Sequence, residues 1–219
     1  MIGIDIKTAI DLLQNGEVVA LPTETVYGLA GNALNAEAVA KIFEIKQRPS
    51  FNPLILHVSN KNEILKYTEK IPKQFETLIE KYMPGPLTLL LDKKDNVPNI
   101  VTANSNRVAI RIPNHAITLE VLKNLDFPLA APSANPFGYV SPTTAHHVEK
   151  QLGNKIPYIL DGGSCQVGIE STIIGMEDEK VIIYRKGGLS IDEIVSEIGE
   201  IFLKENNEAI PITPGMLAS

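Results

Sequence analysis

Residues 36–58 read AEAVAKIFEIKQRPSFNPLILHV, a helix pattern followed, after a short proline-containing loop, by a strand pattern. Val39, Ile42 and Phe43 recur at the spacing of one helical face. Leu54–Val58 is almost entirely apolar, as in a strand that is covered on both faces. Because helix and strand patterns alternate in this way along the chain, the sequence predicts an α/β or mixed α+β sheet with helices packed on it.

The remaining predicted elements continue this alternation. Further strands are predicted at Glu17–Leu21, Leu87–Leu91, Val108–Ile112, Pro128–Ala131, Tyr158–Leu160 and Val181–Tyr184. Further helices are predicted within Met1–Gln14 and at Lys73–Tyr82, Ile117–Leu125, Thr143–Gln151 and Ile191–Ile198. The sequence shows no internal repeat, so residues 1–203 are expected to form one domain and residues 204–219 a linker.

The composition restricts the environment and the partners of the chain. With 219 residues and 44% hydrophobic content, the chain can bury a sizeable core. Cys165 is the single cysteine, which excludes an intrachain disulfide and favours a reducing, cytoplasmic location. The amphipathic N-terminus is unlike a signal peptide, and no apolar run approaches the roughly 20 residues that a membrane span needs. A net charge of −6 argues against an extended nucleic-acid-binding surface.

Polar residues cluster where the first long strand ends, in Pro22–Gly28 (PTETVYG). Two hydroxyls, a carboxylate and a phenol stand there, and the ligands of open sheets gather at such strand ends. A plain strand-to-turn junction, in which threonines satisfy backbone groups, explains the same residues. The sequence contains neither GxxxxGK[ST] nor GxGxxG after a first strand, so a nucleotide would have to bind in another way.

Lys46 and Arg48 stand at the end of a predicted helix, and Asn52 follows shortly after. Pro49 and Pro53 stiffen the loop between them, which lowers the entropy lost in aiming these side chains at one anion. Cations near a helix C-terminus also occur simply because they complement the helix dipole.

Arg107 and Arg111 flank the apolar centre of one predicted strand. Residues four apart in a strand point to the same face, so both guanidinium groups should emerge together. An arginine buried without an anionic partner is costly, which implies a carboxylate or a phosphate beside Arg111. The alternative is an internal salt bridge to an aspartate or glutamate.

Later segments add hydroxyls, an amide and glycines. Ser133 and Asn135 follow a strand that ends in small residues, and Ser141–Thr144 has the pattern of a helix N-cap with proline at N1. Such a helix N-terminus can also face phosphate. Gly168–Thr172 (GIEST) leads into another strand, and Tyr184–Gly188 (YRKGG) follows one. Since cations and hydroxyls outnumber acids at these strand ends, the sequence predicts an anion-binding pocket.

These five segments, taken in order, resemble the threonylcarbamoyl-AMP synthase family, also called the YrdC family. The motifs that appear in family order are PTETVYG, the pair Lys46 and Arg48, the pair Ser133 and Asn135, and GIEST. The similarity covers roughly Asp11–Leu189 and reaches into the C-terminal tail. The resemblance implies a twisted sheet with parallel and antiparallel strands, surrounding helices and a concave, positively charged cavity.

The resemblance also implies an activity. Such an enzyme, a nucleotidyltransferase, forms L-threonylcarbamoyladenylate and pyrophosphate from L-threonine, bicarbonate and ATP with Mg²⁺. No enzyme nucleophile is needed, because the carbamate of threonine attacks the α-phosphate, and catalysis rests on positioning and charge neutralisation. The product passes to tRNA-modifying transferase proteins, which place it on adenosine 37 of tRNA as N6-threonylcarbamoyladenosine, and a weak contact with tRNA is expected.

The resemblance assigns roles to individual residues. The implied L-threonine-binding residues are Thr25, His57, Arg111, Ala131 and Ser171. The implied ATP-binding residues are Lys46, Arg48, Asn52, Arg107, Ser133, Asn135, Ser141 and Arg185. Lys46, Arg48 and Arg111 are the expected catalytic residues, with Arg111 as the clamp for the amino-acid carboxylate. Magnesium is expected to be held by phosphates and water, because the sequence offers no dedicated cage of acids.

Two stretches set this chain apart from the family pattern. Pro136–Val140 (PFGYV) is larger and less polar than is usual at this point. Thr213–Ser219 resembles the start of the linker in the long, two-domain form of the family, so the chain is expected to lack the second domain.

Two other functions compete with this interpretation. One is the carbamoyl-transferring YrdC-type domain of hydrogenase maturation proteins, but the zinc-finger cysteines and the acylphosphatase-like region of those proteins are missing from this sequence. The other is a non-catalytic RNA-binding module. The acidic charge balance and the lack of tryptophan oppose it.

Overall fold

The computed structural model of the protein describes residues 1–204 and 213–214. The helices are α1 (Ile6–Gln14), α2 (Ala36–Lys46), α3 (Lys61–Tyr67), α4 (Lys73–Tyr82), α5 (Asn99–Thr102), α6 (Ala116–Lys123), α7 (Ala145–Leu152) and α8 (Ile191–Ile198). The strands are β1 (Ile2–Gly3), β2 (Val19–Leu21), β3 (Gly28–Asn32), β4 (Ile55–His57), β5 (Leu87–Asp92), β6 (Arg107–Arg111), β7 (Leu129–Ala130), β8 (Tyr158–Leu160), β9 (Thr172–Glu177), β10 (Lys180–Arg185) and β11 (Phe202–Leu203).

The strands of the described residues form one sheet in the order β1-β8-β2-β3-β7-β4-β6-β5-β9-β10-β11. Strand β6 is parallel to β4 and antiparallel to β5, and β5 is in turn parallel to β9. The predicted mixed sheet with surrounding helices is therefore confirmed. None of the described helices has the length and apolar character needed to cross a membrane.

The centre of the sheet is buried on both faces. Leu56 and Leu89 belong to the large core cluster, to which helices α2, α4, α7 and α8 contribute. Their strand neighbours Ile55 and Leu90 belong to a smaller cluster on the opposite face. Full burial of such side chains explains why the central strands have no polar alternation in the sequence.

The asparagine and aspartate caps explain where several helices begin. Asp5 accepts hydrogen bonds from the backbone of α1, and Asn35 does the same for α2. The predicted N-terminal helix therefore begins only at Ile6, after the short strand β1. At the other end of α2, Gln47 adopts a left-handed conformation with φ of 52°, which ends the helix and turns the chain toward Arg48.

Strand β3 is the main element that the sequence does not predict. Its residues GLAGN are poor strand formers, because glycine weakens a strand interior. A close contact with helix α2 explains the choice of glycine, since a Cβ atom on Gly31 would lie 3.3 Å from Ile42 Cδ1. Helix α3 was also not predicted. Of the predicted linker, residues 205–212 and 215–219 lie outside the described residues.

Candidate active site

A cavity of about 400 Å³ lies where several strands of the sheet begin or end. His57 and Arg111 are the last residues of β4 and β6, and Ser171 directly precedes β9. Because β4 and β6 are parallel and in register at His57 and Arg111, these two side chains reach the cavity together. The predicted site residues in its lining are Thr25, Lys46, Arg48, Asn52, His57, Arg111, Ala131, Ser133, Asn135, Ser141, Ser171 and Arg185.

Arg111 is held by a buried salt bridge to Glu24. Arg111 Nη2 lies 2.6 Å from Glu24 Oε1, and the two side chains are only 5% and 7% exposed. Arg111 also donates from Nη1 to Thr25 Oγ1 at 3.0 Å and from Nε to the Gly85 carbonyl at 3.1 Å. The internal salt bridge that the sequence left open is thus present. These bonds use three of the five N–H groups of the guanidinium.

His57 is a neutral imidazole at the same end of the cavity. Burial and, to a smaller extent, the nearby charge of Arg111 together lower the pKa of His57 to about 3. Nδ1 lies 3.3 Å from the Ile55 carbonyl, which can only accept a hydrogen bond. The proton therefore belongs on Nδ1, and Nε2 is left as an acceptor.

Lys46 connects helix α2 to the loop that carries Ser133 and Asn135. Its Nζ donates to the Ser133 carbonyl at 2.5 Å and also to the Asn135 carbonyl. Burial, helped by the charge of Arg48 and opposed by that of Glu170, lowers the pKa of Lys46 to about 7. A deeply buried lysine of this kind titrates near neutral pH.

Arg48 and Arg185 bring two further cations to the cavity. Arg48 donates to Asn52 Oδ1 at 2.6 Å and to the Pro53 carbonyl at 2.8 Å. Arg185 donates to the Ser171 carbonyl at 2.9 Å and to the Pro214 carbonyl at 3.3 Å.

Burial lowers the pKa of Arg48 to about 10, and the charge of Arg185 contributes. Burial likewise lowers the pKa of Arg185 to about 10. Like charges gathered in this way favour a bound anion.

The described lining is strongly cationic. It contains Lys46, Arg48, Arg111 and Arg185 but a single carboxylate, Glu170. The whole chain, by contrast, has a net charge of −6. The cavity therefore has the concentration of basic side chains that the sequence predicts, although Glu24 neutralises Arg111. Anion binding in this cavity stays a prediction.

The Sua5/YciO/YrdC family model, described as "Telomere recombination", matches residues 11–187 of this chain. The chain belongs to this family. It is 44% identical to the threonylcarbamoyl-AMP synthase of Pyrococcus abyssi over 90% of its own length and 58% of the relative. It is 40% identical to a putative threonylcarbamoyl-AMP synthase of Methanocaldococcus jannaschii over 82% of its own length and 84% of the relative.

A solved Sua5 structure confirms the fold. The crystal structure of P. abyssi Sua5 complexed with L-threonine superposes with a TM-score of 0.94 at 42% identity. The alignment covers 96% of this chain and 63% of that one. The chain thus spans about three fifths of the P. abyssi protein. The resemblance to the threonylcarbamoyl-AMP synthase family is confirmed.

Arg107 is the predicted site residue that the structure does not bring to the Sua5/YciO/YrdC cavity. It donates from Nη1 to Tyr184 Oη at 2.9 Å and from Nη2 to the Met176 carbonyl at 3.2 Å. Arg107 lies on the same strand as Arg111, but four residues of strand span about 13 Å, so Arg107 lies away from the cavity. Ala109 and Tyr184 pack in the apolar cluster that lies between the two arginines.

Ser141 does not cap the helix that follows it. The N-cap of α7 is Thr144, whose side chain accepts from the backbone of His147, and the helix begins at Ala145. Ser141 instead donates to Glu170 Oε1 and lines the cavity. The cap prediction was wrong by three residues, because Thr144 is also a capping residue type and the segment therefore offers more than one candidate cap.

Several lining residues of this Sua5/YciO/YrdC site were not predicted. Glu170 stands inside GIEST, so its motif was recognised but only Ser171 was assigned a role. Phe137 and Tyr139 lie in the loop that departs from the family pattern, and Pro214 is far away in sequence. Their apolar character gave no signal of binding. Within residues 1–204 and 213–214, no group of three or more His, Cys, Asp or Glu side chains could hold a metal ion.

Proposed function

We propose that the protein is a threonylcarbamoyl-AMP synthase, a nucleotidyltransferase of the cytoplasm that serves N6-threonylcarbamoyladenosine formation in tRNA. Its substrates are L-threonine, bicarbonate and ATP, and its products are L-threonylcarbamoyladenylate and pyrophosphate. One observation carries the proposal: a single cavity joins the Arg48 and Arg185 cations to the Arg111, His57 and Ser171 cluster. Residues 1–203 make up the catalytic domain.

The Arg111 end of the cavity is suited to an amino acid. The two N–H groups of Arg111 that its internal bonds leave over can take a substrate carboxylate as a bidentate pair. His57 Nε2 offers an acceptor to a hydroxyl or ammonium group. The name of the P. abyssi Sua5 complex with L-threonine supports threonine as the amino acid.

The Lys46, Arg48 and Arg185 end is suited to phosphates. The threonine amine attacks CO2 derived from bicarbonate, forms a C–N bond and loses a proton, which gives a carbamate. A carbamate oxygen then forms a bond to the α-phosphorus, and the bond to the pyrophosphate oxygen breaks. The cations neutralise charge that develops on the phosphate oxygens, and the cavity holds the two substrates in contact.

The reaction requires no covalent enzyme intermediate. Cys165 is half-buried, and burial raises the pKa of its thiol to about 11. The thiol therefore stays protonated at neutral pH and is a poor nucleophile.

Magnesium fits this cavity if phosphates and water supply most of its ligands. Mg²⁺ usually binds through one or two carboxylates together with substrate phosphates, and Glu170 is the carboxylate of the described lining. When bound, the ion would neutralise phosphate charge.

The test is release of pyrophosphate from ATP by the purified protein. Threonine and bicarbonate are supplied separately and together, and the adenylate product is identified by mass spectrometry. Release that requires both substrates supports the proposal. Release without threonine, or no release with both present, contradicts it.

Lys41→Gln provides a control for variants of the cavity cations. Lys41 lies on the same helix as Lys46, but its ammonium group pairs with Glu17 at 2.9 Å outside the described lining. It should release pyrophosphate at the wild-type rate.

A further inference from the structure

The loop Pro136–Val140 forms part of the cavity wall and is held in place by hydrogen bonds. The Phe137 backbone N–H donates to the Lys46 carbonyl at 2.8 Å, and the Tyr139 N–H donates to the Pro136 carbonyl at 3.2 Å. Gly138 closes the turn with φ of +82°, a conformation that side chains disfavour. The loop is therefore fixed to the end of helix α2.

The buried side chain of Asn135 holds this loop through two hydrogen bonds. Its Nδ2 donates to the Pro136 carbonyl at 2.9 Å and to the Tyr139 carbonyl at 2.7 Å, and the residue is only 4% exposed. Two carbonyl acceptors fix the orientation of the amide. Asn135 is thus a positioning residue for the turn that presents Phe137 and Tyr139.

The loop contributes two aromatic residues to the lining of the cavity. Phe137 is 37% exposed and Tyr139 is 68% exposed, although both line the cavity. No other Phe, Tyr or Trp side chain lies in the described lining. Aromatic rings that stay partly exposed in a cavity lined by cations have the chemistry of a stacking surface.

The cations lie beside these rings. The Arg48 guanidinium carbon is 6.0 Å from the centre of the Phe137 ring. Lys46 donates to the Ser133–Asn135 loop from which the aromatic turn continues. The phosphate-binding end of the cavity therefore meets the rings, whereas Arg111 and His57 occupy the ends of β6 and β4.

We propose that Phe137 and Tyr139 form the surface on which the purine base of the nucleotide stacks, with Arg48 beside its phosphates. This inference rests on the proposed function, because it places the base within the same nucleotide site. Base–aromatic stacking is tolerant of sequence and contributes substantially to binding in nucleotide-binding proteins. The adenosine half of ATP then points toward the cavity mouth, and the triphosphate toward the cations.

The test compares two probes that differ in the base. Binding of Mg²⁺-ATP and of inorganic tripolyphosphate is measured by calorimetry for the wild type and for the double variant F137S/Y139S. We expect the Kd for ATP to rise by about tenfold or more, which corresponds to the loss of one stacked base. The Kd for tripolyphosphate should stay unchanged, because it has no base to stack.

Three further variants control for indirect effects. Phe51→Ser removes a nearby aromatic residue that is 45% exposed but lies outside the described lining, and it should bind both probes normally. Tyr139→Phe keeps the ring and should retain the affinity for ATP. Tyr139→Ser alone changes a largely exposed side chain, so it keeps the test valid if the double variant does not fold.

The outcomes separate the two proposals. If the wild type binds neither probe, the nucleotide site of the proposed function is wrong and the stacking surface falls with it. If the wild type binds ATP and the double variant binds it equally well, the stacking surface alone is wrong. Equal loss of both probes in the folded variant would also overturn it, because the loss would then not depend on the base.

Discussion

Strand β6 begins and ends with an arginine, but the two arginines lie in different environments. Arg111 lines the cavity, and Glu24, which is outside the described lining, neutralises it at 2.6 Å. Arg107, at the other end, lies 5.3 Å from the centre of the Tyr184 ring and donates to backbone carbonyls. The comparison shows that strand periodicity predicts the face of a side chain but not what lies beside it along the strand.

The largest effect is expected from removing the partner of Arg111. Glu24→Ala should lower the free energy of unfolding by about 3–5 kcal/mol, because it leaves a buried guanidinium without its carboxylate. The Asn114 backbone N–H loses its acceptor as well. Urea denaturation monitored by circular dichroism measures the change. A loss below about 1 kcal/mol would mean that Arg111 does not depend on Glu24.

A second prediction compares a cation of the cavity with a lysine outside the described lining. Arg48→Ala should reduce kcat/KM for pyrophosphate release by about 100- to 1,000-fold, the usual cost of losing one donor to developing charge. Lys41→Gln is the matched control described above and should leave the rate unchanged. Equal rates for Arg48→Ala and the wild type would show that the cationic end of the cavity does not bind the triphosphate.

The third prediction concerns the other end of β6. Arg107→Met should cost about 1–2 kcal/mol of stability, because it removes hydrogen bonds to Tyr184 and Met176 without stranding a buried charge. The KM for ATP decides whether this residue serves the nucleotide. A rise like that of Arg48→Ala would restore the role that the family resemblance implies for Arg107.

The smallest expected effect is a proton taken up by Lys46. With a pKa of about 7, Lys46 is mostly neutral at pH 8, and bound phosphates should raise its pKa. ATP binding at pH 8 should therefore take up as much as about one proton, and less at pH 6, where Lys46 is already charged. Calorimetry in buffers of different ionisation enthalpy counts the protons. Lys46→Met should abolish the difference, and a persistent uptake would assign it to another group.

The lowered pKa of Lys46 also makes the free energy of unfolding depend on pH. Between pH 7 and the ordinary lysine value of 10.5, the unfolded chain binds the proton and the folded chain does not. The free energy of unfolding from this residue therefore rises with pH across that range. This contribution is the opposite of that of a lysine in an ordinary salt bridge.

The sequence predicts the fold where its pattern is long and regular. The helix at Lys73–Tyr82 has its predicted bounds, because its apolar residues recur at the helical period. The strand at Tyr158–Leu160 also has its predicted bounds, as a short apolar run between more polar segments. Strand β3 was not predictable from its two glycines, since the packing of Ile42 against Gly31 decides its structure.

The members of the cavity follow from polar residues at strand ends, but their partners do not. Glu24 and Arg111 are 87 residues apart, so nothing in either motif indicates that they pair. Glu170 likewise reaches Ser141 across 29 residues. Local patterns identify which side chains leave the core, whereas contacts between distant segments depend on the topology of the sheet. The substrate that each residue binds stays a prediction.

The position of Arg111 in the cavity depends on the register of β6 relative to β4. A slip of one residue between these neighbours would place Ile110, in place of Arg111, opposite His57. It would also turn Arg111 toward the opposite, apolar side of the sheet, away from Glu24. A shift of one backbone step, about 3.3 Å, would thus remove the Arg111 end of the cavity while leaving the strands paired.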